Sequence, residues 1–278
     1  MAHAAAGDIY NLGTFGGLSS SGRDINDAGQ VVGYAQDAVG RSRAFLWSIS
    51  RGMTDLGTAN GYTLAGATAI NASGSVVGAE RDSETGFNHA FAWTPNEPNG
   101  TTGTFIDLAH GEYSTAADIN AAGQVVGSST YYVPEELCTP DYPNYPNCAP
   151  AYYETRAILW ANGDGVDLTS TLHGDAAFIL TTANAINNAG QVAGQSSYYG
   201  VVHAFLYGGG NPLHELGTVG TTISAINDAG QVIGDSWTSG GGGYAFRYTG
   251  TSGSGGVTVE LGSLGGSGSH ADDINDAG

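Results

Sequence analysis

Lysine is absent from this chain of 278 residues, and its seven basic residues are all arginines. Its 26 acidic residues give a formal net charge of −19. Nucleic acids and anionic lipids attract basic surfaces, so this balance argues against both as partners. It is compatible with solubility, with divalent cations, or with an acidic secreted surface.

Long apolar runs and helical periodicity are missing as well. No apolar segment approaches the roughly 20 residues that a membrane-spanning helix needs, so we expect no membrane span in this chain. Apolar residues do not recur at helical spacing over any length, which argues against a helical domain. The chain is long enough for one repeat domain with a substantial core.

Cysteine is rare, and Cys138 and Cys148 are the only two. Five prolines surround them: Pro134, Pro140, Pro143, Pro146 and Pro150. Two cysteines ten positions apart in such a surface loop predict a disulfide, on the expectation that the protein is exported. Half of a zinc site is the alternative, but no further Cys or His lies nearby to complete it.

The first eight residues contain an Ala-x-Ala pattern in Met1–Gly7, as at the end of a secretory signal peptide. The basic region and apolar core of such a peptide are not present. Residues 1–8 are therefore either a leader remnant or an ordinary alanine-rich disordered end.

Glycine is abundant, with 46 residues, and many of them belong to one repeated motif, Ile-Asn-x-x-Gly-x-Val-x-Gly. Five full copies start at these positions: Ile25, Ile70, Ile119, Ile186 and Ile226. A sixth begins at Ile274 and stops at Gly278. An internal repeat decides the fold before any argument about single residues.

Each copy predicts a β-hairpin. The first Gly suits the left-handed residue that follows a type I turn, and the Asn side chain suits a bond to the backbone two residues on. Asp24 and Asn26 could suggest a calcium loop, but Ala28 stands where that loop needs an oxygen ligand. We expect no cofactor; calcium stays open without a motif to support it.

Two further segments follow every hairpin and read as strands. The first is aromatic, and its copies are Arg43–Trp47, His89–Trp93, Arg156–Trp160, His203–Tyr207 and Tyr244–Tyr248. The second is acid-Leu, and its copies are Asp55–Leu56, Asp107–Leu108, Asp167–Leu168, Glu215–Leu216 and Glu260–Leu261. Each repeat then holds four strands, which we name a (to Ile-Asn), b (Val-x-Gly), c (aromatic) and d (acid-Leu).

The asparagines of successive repeats are 45, 49, 67, 40 and 48 positions apart. Four strands every 40–50 residues indicate an all-β propeller of four-stranded antiparallel blades, and a β-solenoid is the runner-up. We expect one domain over 9–278. Its five complete blades span about 23–57, 67–108, 116–168, 183–217 and 223–262. Residues 263–278 and 9–13 would form a partial blade.

The three motifs, in order, also carry a resemblance. Ile-Asn-x-x-Gly-Gln-Val-Val-Gly, then His-Ala-Phe-Leu-Trp, then Asp-Leu-Gly-Thr resembles the HAF-type "probable extracellular repeat" family of bacterial proteins. The resemblance covers nearly the whole chain from Ile9. It implies an exported, propeller-like protein, often attached to the surface through a C-terminal sorting signal, and no catalytic residue to transfer. The long insertion in the third repeat and the short sixth repeat depart from the pattern.

Residues that recur in every blade are more readily architectural than catalytic, because an acid and a base at work need different environments. We therefore expect the strand-c cations and strand-d acids to pair within blades, and Phe45, Trp47, Trp93 and Trp160 to form core between blades. The alternative is a functional ring of acids or histidines around the axis. The second motif glycine, as in Gly33 and Gly127, predicts a bulge or a close approach of blade on blade.

Functional candidates are the residues that do not recur. The b–c and d–a connections emerge on one face, and the b–c loops differ: Arg81–Asn88, Thr130–Glu154 and Ser197–Val202. Aromatic residues at or near these loops are the candidate ligand-binding set: Tyr131, Tyr132, Tyr142, Tyr145, Tyr152, Tyr153, Tyr198, Tyr199 and Trp237. Their rings either stack on a ligand or only pack the insertion onto the rim.

We expect a non-catalytic binding or structural module, secreted or at the cell surface, that recognises glycan or protein through this face as a monomer. The alternative is a propeller-fold glycoside hydrolase or polysaccharide lyase. That alternative predicts unlike acids together in an aromatic-lined cleft, for example Asp82, Glu135 and Asp175.

Overall fold

The computed structural model describes residues 8–58, 62, 64–134, 151–171, 178–198, 201–208, 211–216, 221–237, 243–251 and 254–278. Across these residues the chain forms twenty strands and one short 3-10 turn, Leu168–Thr171. The all-β prediction is confirmed. None of the described residues belongs to a helix with the length and hydrophobicity to cross a bilayer.

The strands form five sheets in chain order. Sheet one holds β1 (Gly16–Ile25), β2 (Val31–Asp37), β3 (Ser42–Ser48) and β4 (Gly52–Asp55). Sheet two holds β5 (Leu64–Ile70), β6 (Val76–Arg81), β7 (Asn88–Pro95) and β8 (Gly103–Asp107). Sheet three holds β9 (Tyr113–Ile119), β10 (Val125–Val133), β11 (Tyr152–Ala161) and β12 (Asp164–Asp167). Sheet four holds β13 (Phe178–Ile186), β14 (Val192–Tyr198), β15 (Val201–Gly208) and β16 (Asn211–Glu215). Sheet five holds β17 (Thr221–Ile226), β18 (Val232–Trp237), β19 (Gly243–Thr251) and β20 (Ser254–Glu260).

Within each sheet the strands lie in sequence order and pair antiparallel. The four strands a, b, c and d of each repeat are therefore confirmed as one sheet. The total number of blades and the closure of a ring stay predictions.

The repeated turn has the geometry that its sequence predicts. In the third copy, the Gly123 N–H donates to the Asn120 carbonyl over 3.0 Å, and Gly123 has a φ of 78°. The Asn120 Oδ1 accepts the N–H groups of Ala122 and Gln124 at 3.1 and 3.0 Å. Only glycine takes this left-handed conformation without steric cost, which explains its recurrence at this position.

The second motif glycine marks a β-bulge with a close backbone approach, as predicted, but the approach is within one sheet and not of blade on blade, so that part of the prediction is wrong. A Cβ placed on Gly127 would overlap the carbonyl oxygen of Thr115, on the neighbouring strand of the same sheet. Strand a has a β-bulge at this point, where the register shifts between Val126 and Gly127. The bulge pushes a carbonyl toward strand b, so strand b must lack a side chain there.

The core lies between successive sheets. At the first interface, Leu56 and Val32 of sheet one pack on Ala67, Val76 and Trp93 of sheet two. Equivalent clusters fill the next three interfaces. Burying each large side chain is worth about 1.5–3 kcal/mol, so most of the apolar stabilisation joins one sheet to the next. Trp93 and Trp160 are confirmed as core between sheets, with 2% and 1% exposure.

The acid of strand d has a structural role. Arg43 forms an ion pair with Asp55 at 3.0 Å, and Arg156 forms one with Asp167 at 2.8 Å. The predicted pairing within a blade is confirmed in sheets one and three. Asp55 also accepts the Gly57 N–H at 2.8 Å, which turns the chain and sets Leu56 into the interface.

The asparagines also link neighbouring sheets, which the sequence did not predict. The Asn120 side-chain amide donates to the backbone carbonyl of Asn187, in the next repeat, over 3.1 Å. The same bond of 3.0 to 3.1 Å joins Asn26 to Asn71, Asn71 to Asn120, Asn187 to Asn227, and Asn227 to Asn275. One continuous series of bonds therefore runs through all six repeats.

The two ends of the chain pack on sheets without forming strands. Neither 9–13 nor 263–278 holds a strand residue, so the partial blade that they would form stays a prediction. Tyr10 lies against Trp47 of sheet one, with ring centroids 6.0 Å apart. At the other end, Ala245 in sheet five donates its N–H to the Ser269 hydroxyl over 3.0 Å.

Candidate functional site

The hairpin of sheet three extends the candidate face further than predicted. The sequence places a loop over Thr130–Glu154, but β10 and β11 continue to pair out to Val133 and Tyr152. Backbone pairing between the two strands keeps strand geometry here, and this part of the loop prediction is wrong. Four of the candidate tyrosines therefore lie on paired strands: Tyr131, Tyr132, Tyr152 and Tyr153.

Four aromatic side chains meet at this end of sheets two and three, and we call them the aromatic cluster: Phe87, Tyr113, Tyr132 and Tyr153. Phe87 and Tyr113 have ring centroids 4.2 Å apart. Tyr113 and Tyr153 are 6.3 Å apart, and Tyr132 and Tyr153 are 5.5 Å apart. The rings are tilted or edge-on to one another, which is the preferred geometry of aromatic pairs.

The cluster combines a solvent-facing surface with a fixed base. Tyr132 and Tyr153 are 50% and 57% exposed, whereas Tyr113 and Phe87 are partly buried. Phe87 comes from the b–c connection of sheet two, and Tyr113 begins strand a of sheet three. The sequence does not predict Phe87 and Tyr113 as part of the site, because the two residues come together only when sheets two and three pack.

Tyr131 points away from the cluster, as alternation along a strand requires. Its hydroxyl hydrogen-bonds the Nδ1 of His110, and its ring lies 5.4 Å from the Arg156 guanidinium carbon. Burial raises the pKa of this tyrosine. Arg156 is itself held by Glu154 and Asp167, each at 2.8 Å. Tyr131 is therefore a support for the hairpin, and the structure separates it from the exposed candidates.

Trp237 lines a different cavity, of about 740 Å³, on sheet five. The Trp237 side chain is 57% exposed. Trp237 is the last residue of β18 and lies on the same face as the aromatic cluster. Asp235, which is 8% exposed, lines this cavity and hydrogen-bonds His270. The hydrogen bond and the charge of Asp235 raise the pKa of His270, whose Nε2 lies 3.0 Å from Asp272.

The remaining candidates fall in three groups. Tyr142, Tyr145, Tyr199, Cys138, Cys148, Glu135 and Asp175 lie outside the described residues. Tyr152 is 48% exposed and belongs to no ring pair among the described residues. Tyr198 ends β14, and its side chain is outside the described part of the chain. The loop predicted over Ser197–Val202 is wrong, because the two strands of this hairpin pair from Ser197–Val202 to Tyr198–Val201.

One acid lies in an unusual environment, at the turn end of strand a. Burial raises the pKa of Asp118 to about 6, against the lowering effect of its hydrogen bonds from the Ile186 and Ile119 backbone. The charges of Asp24 and Asp273 raise it further. Among the described residues, no group of three or more His, Cys, Asp or Glu could hold a metal ion.

Comparison with known proteins gives one kind of likeness. No family model and no curated protein matches the chain. Among solved structures, the β-propeller domain of the Trilobed protease from Pyrococcus furiosus, described as having an open velcro topology, is similar over 87% of this chain and 84% of that one. The identity is 11% and the TM-score is 0.41, values at which the likeness defines no family and no activity.

Proposed function

We propose that this protein is a non-catalytic, exported recognition module of the β-propeller type, which binds a glycan or protein through the b–c/d–a face. The aromatic cluster carries the proposal. One connection, the first residue of a strand a and one extended hairpin, from two sheets, bring four rings together and leave two of them about half exposed. Rigid aromatic side chains present a large contact area with few rotors to freeze, which favours recognition.

The electrostatics narrow the class of ligand. A protein of net charge −19 repels acidic polysaccharides at low ionic strength, attracts cationic partners and does not repel neutral ones. Glu112 precedes Tyr113, and Glu84 lies in the same connection as Phe87; both acids are exposed. We therefore expect a neutral glycan or a basic polypeptide segment on the cluster.

The glycosidase alternative rests on the Trp237 cavity, which is lined by an exposed tryptophan and Asp235, and on Asp272, which contacts the lining residue His270. Glycoside hydrolysis needs one carboxyl group that is protonated at the working pH beside one that is ionised. Here both carboxylates contact His270, whose raised pKa favours the imidazolium form. Two carboxylates that hold one histidine form an ion-pair arrangement without a third, separate acid beside them among the described residues, so this arrangement supports binding over general acid catalysis.

A glycan array and a panel of surface proteins test the proposal, each with and without chelator. We expect a ligand whose affinity falls at least about tenfold when Tyr132→Ala and Tyr153→Ala are combined, as for central aromatic contacts in an interface. Tyr152→Ala is the matched control, because it changes a similarly exposed ring on the same hairpin, and it leaves binding unchanged.

Three results would contradict the proposal. If the double variant kept full affinity for every ligand found, the aromatic cluster would be packing alone. If Trp237→Ala removed binding while the cluster variant did not, the ligand site would be the sheet-five cavity. Turnover of a polysaccharide, lost in Asp235→Asn, would replace recognition by catalysis.

A further inference from the structure

A cavity of about 290 Å³ lies between sheets one and two, at the b–c/d–a face. The residues that line it come from the strand ends of both sheets and include Tyr34, Ser42, Leu64, Glu80, Arg81 and Asn88. Its volume is near the lower end of the range for small-molecule sites. None of the four rings of the aromatic cluster lines it, so the cavity is a separate feature of the same face.

The cavity exists because strand a of sheet two carries no side chain at Gly66. This residue pairs with Ala79, one position after the second motif glycine. The residues at the same place in sheets three, four and five are threonines: Thr115, Thr182 and Thr222. The nearest atom to a Cβ placed on Gly66 is the Tyr34 Cβ, at 3.7 Å, which is ordinary van der Waals contact. The backbone therefore does not require glycine at this position.

Glu80 is the second residue that distinguishes this interface. It pairs with Ala65 and His89, lines the cavity and is 1% exposed. Buried serines occupy the same place in sheets three, four and five: Ser129, Ser196 and Ser236. Burying a carboxylate costs more free energy than burying a hydroxyl group. Since the fold accepts serine here, the acid in sheet two points to a role beyond packing.

Tyr34 forms the wall of the cavity on the side of sheet one. The Arg23 guanidinium carbon lies 5.3 Å from its ring centroid, and a cation over an aromatic face holds the ring in place. A second cavity, of about 510 Å³, shares Tyr34 and Gly66 with the first and reaches Thr68 on strand a. Gly66 therefore lies where the two cavities meet, and a side chain at this position would reduce both.

We propose that this cavity is a subsite for one neutral sugar unit, which rests on the proposed function as a glycan-binding module. Sugar hydroxyls both donate and accept hydrogen bonds. The lining offers an acceptor in Glu80, donors in Arg81, and both kinds of group in Asn88. Tyr34 adds an aromatic wall for the apolar face of the sugar ring. Glu80 and Arg81 contribute one charge of each sign, so a neutral ligand leaves the charges of the cavity balanced.

The cavity and the aromatic cluster lie on the two sides of one connection. Phe87 belongs to the cluster, and the next residue, Asn88, lines the cavity. A longer glycan that crosses the 82–87 connection therefore reaches both sites. The cluster would hold the chain of sugars, and the cavity would select the unit at its end.

Saturation-transfer NMR with a panel of neutral monosaccharides, including N-acetylated hexosamines, tests the subsite on the full chain. We expect at least one sugar to receive saturation from the unaltered protein. Its affinity should fall at least about tenfold in Gly66→Thr, which fills the cavity, and in Glu80→Ser, which removes the carboxylate. Both variants introduce the residue that sheets three, four and five carry, so we expect their circular dichroism to be unchanged. Gly266→Thr is the matched control, because it adds the same side chain at an exposed glycine outside the cavity, and it leaves sugar binding unchanged.

Tyr132→Ala combined with Tyr153→Ala separates this proposal from the proposed function. The double variant should bind the free sugar normally and the longer glycan weakly. Loss of the free sugar in the double variant would place that sugar on the cluster and overturn the subsite. So would full affinity in Gly66→Thr or Glu80→Ser. Binding of free lysine or arginine in place of any sugar, lost in Glu80→Ser, would assign the cavity to a cationic group and overturn the sugar assignment. A protein that binds a longer glycan through the cluster but no free sugar would refute the subsite alone, whereas a protein that binds no glycan would refute the glycan form of the proposed function as well.

Discussion

The recurring asparagine makes several hydrogen bonds at once. Asn120 is 3% exposed, and its side chain bonds Gln124, two backbone N–H groups and the carbonyl of Asn187 in the next repeat. Removing a buried side chain of this kind leaves several polar groups without partners, which costs more than the bonds themselves. Each asparagine therefore forms a turn and also links its own sheet to the next repeat.

Asn120→Ala should lower the free energy of unfolding by about 2–4 kcal/mol, because it frees the Asn187 carbonyl and two turn N–H groups inside the protein. Urea unfolding followed by circular dichroism measures the change. Asn96→Ala is the control. Its side chain is exposed and makes one long bond of 3.4 Å to Thr102, so a change within about 0.5 kcal/mol is expected. Equal effects of the two variants would show that the cross-repeat bond contributes nothing.

Asp118 should make stability depend on pH. Its folded pKa of about 6 lies above the ordinary aspartate value of 3.8, so the folded state binds the proton more tightly. The free energy of unfolding therefore rises as pH falls from 7.5 to 5, and this gain is lost as pH rises through 6. A shift of this size corresponds to at most about 3 kcal/mol, and partial exposure of the carboxyl reduces it, so we expect about 1–2 kcal/mol.

Asp118→Asn removes the titrating group, and the difference between the wild-type and variant pH profiles isolates its effect from the other acids. The measurement is urea unfolding at pH 5.0, 6.0 and 7.5. Parallel profiles for the two proteins would show that the Asp118 proton is not coupled to folding.

The residue scale also shows the limit of sequence reasoning. The turn role of Asn120 follows from local pattern, since Gly123 and the Ala122 N–H lie within three residues of it. The bond to Asn187 joins residues 67 positions apart. No local rule supplies that pairing, because it depends on which turn the packing of sheets brings alongside.

At the scale of the strand, every repeat has a β-bulge in strand a. The register of strand a shifts near the second motif glycine of every sheet. The shift directs a strand-a carbonyl at strand b. On the other side of the bulge lie Asp24 and Asp118, whose carboxylates accept the backbone N–H groups of Ile70 and Ile186 in the next repeat. The bulge is therefore what lets one strand serve both its own sheet and the neighbouring one.

Gly127→Ala should destabilise the protein by about 1–3 kcal/mol or more, because the new methyl group would overlap the Thr115 carbonyl oxygen and neither backbone can move without breaking the bulge. Thermal unfolding measures it. Gly266→Ala is the control, with only a distant backbone atom at 3.9 Å and no positive φ. A stability of Gly127→Ala equal to that of the control would mean that the bulge relaxes freely.

The cysteine prediction also belongs at this scale, since Cys138 and Cys148 lie between the two strands of the sheet-three hairpin. A bridge across ten positions is worth about 2–3 kcal/mol in the chain-entropy model, and the surrounding prolines reduce this. Cys138→Ser with Cys148→Ser should leave global melting nearly unchanged and raise proteolysis within 134–151. Intact mass after alkylation without reductant, on protein from its native compartment, checks the bond. Two alkylated thiols would defeat both the bond and the inferred export.

The length of that hairpin was the main error of the strand predictions. Residues 131–133 and 152–154 lack the apolar alternation of a core strand, because they extend beyond the paired part of strand a and are only partly buried or exposed. Backbone pairing with the opposite strand keeps them extended anyway. Half of the aromatic cluster could be predicted from the sequence, since Tyr132 and Tyr153 are aromatic residues near a loop that does not recur. Phe87 and Tyr113 join them only when sheets two and three pack.

At the scale of the whole molecule, two kinds of interaction determine stability: short-range apolar packing, which is strong, and long-range repulsion between charges, which is weak. The apolar clusters run from sheet to sheet, so unfolding one sheet uncovers its neighbours. Such an arrangement resembles a linear array in which neighbours stabilise one another. The sequence predicts this order well, since each repeat carries its own a, b, c and d pattern. It does not predict how the series ends, because that depends on contacts beyond any one repeat.

The net charge of −19 leads to a prediction for the whole molecule. Self-repulsion destabilises a compact acidic protein, and salt screens it. Ion pairs act the other way, but the described ones are few and partly exposed, such as Arg43 with Asp55 and Arg156 with Glu154, and are worth little each. Raising NaCl from 10 to 500 mM at pH 7.5 should therefore raise the melting temperature by about 3–8 °C. The same titration near pH 4.3, the isoelectric point of the sequence, is the control and should give almost no change, because the net charge is then near zero. A fall in melting temperature with salt at pH 7.5 would mean that ion pairs outweigh the repulsion.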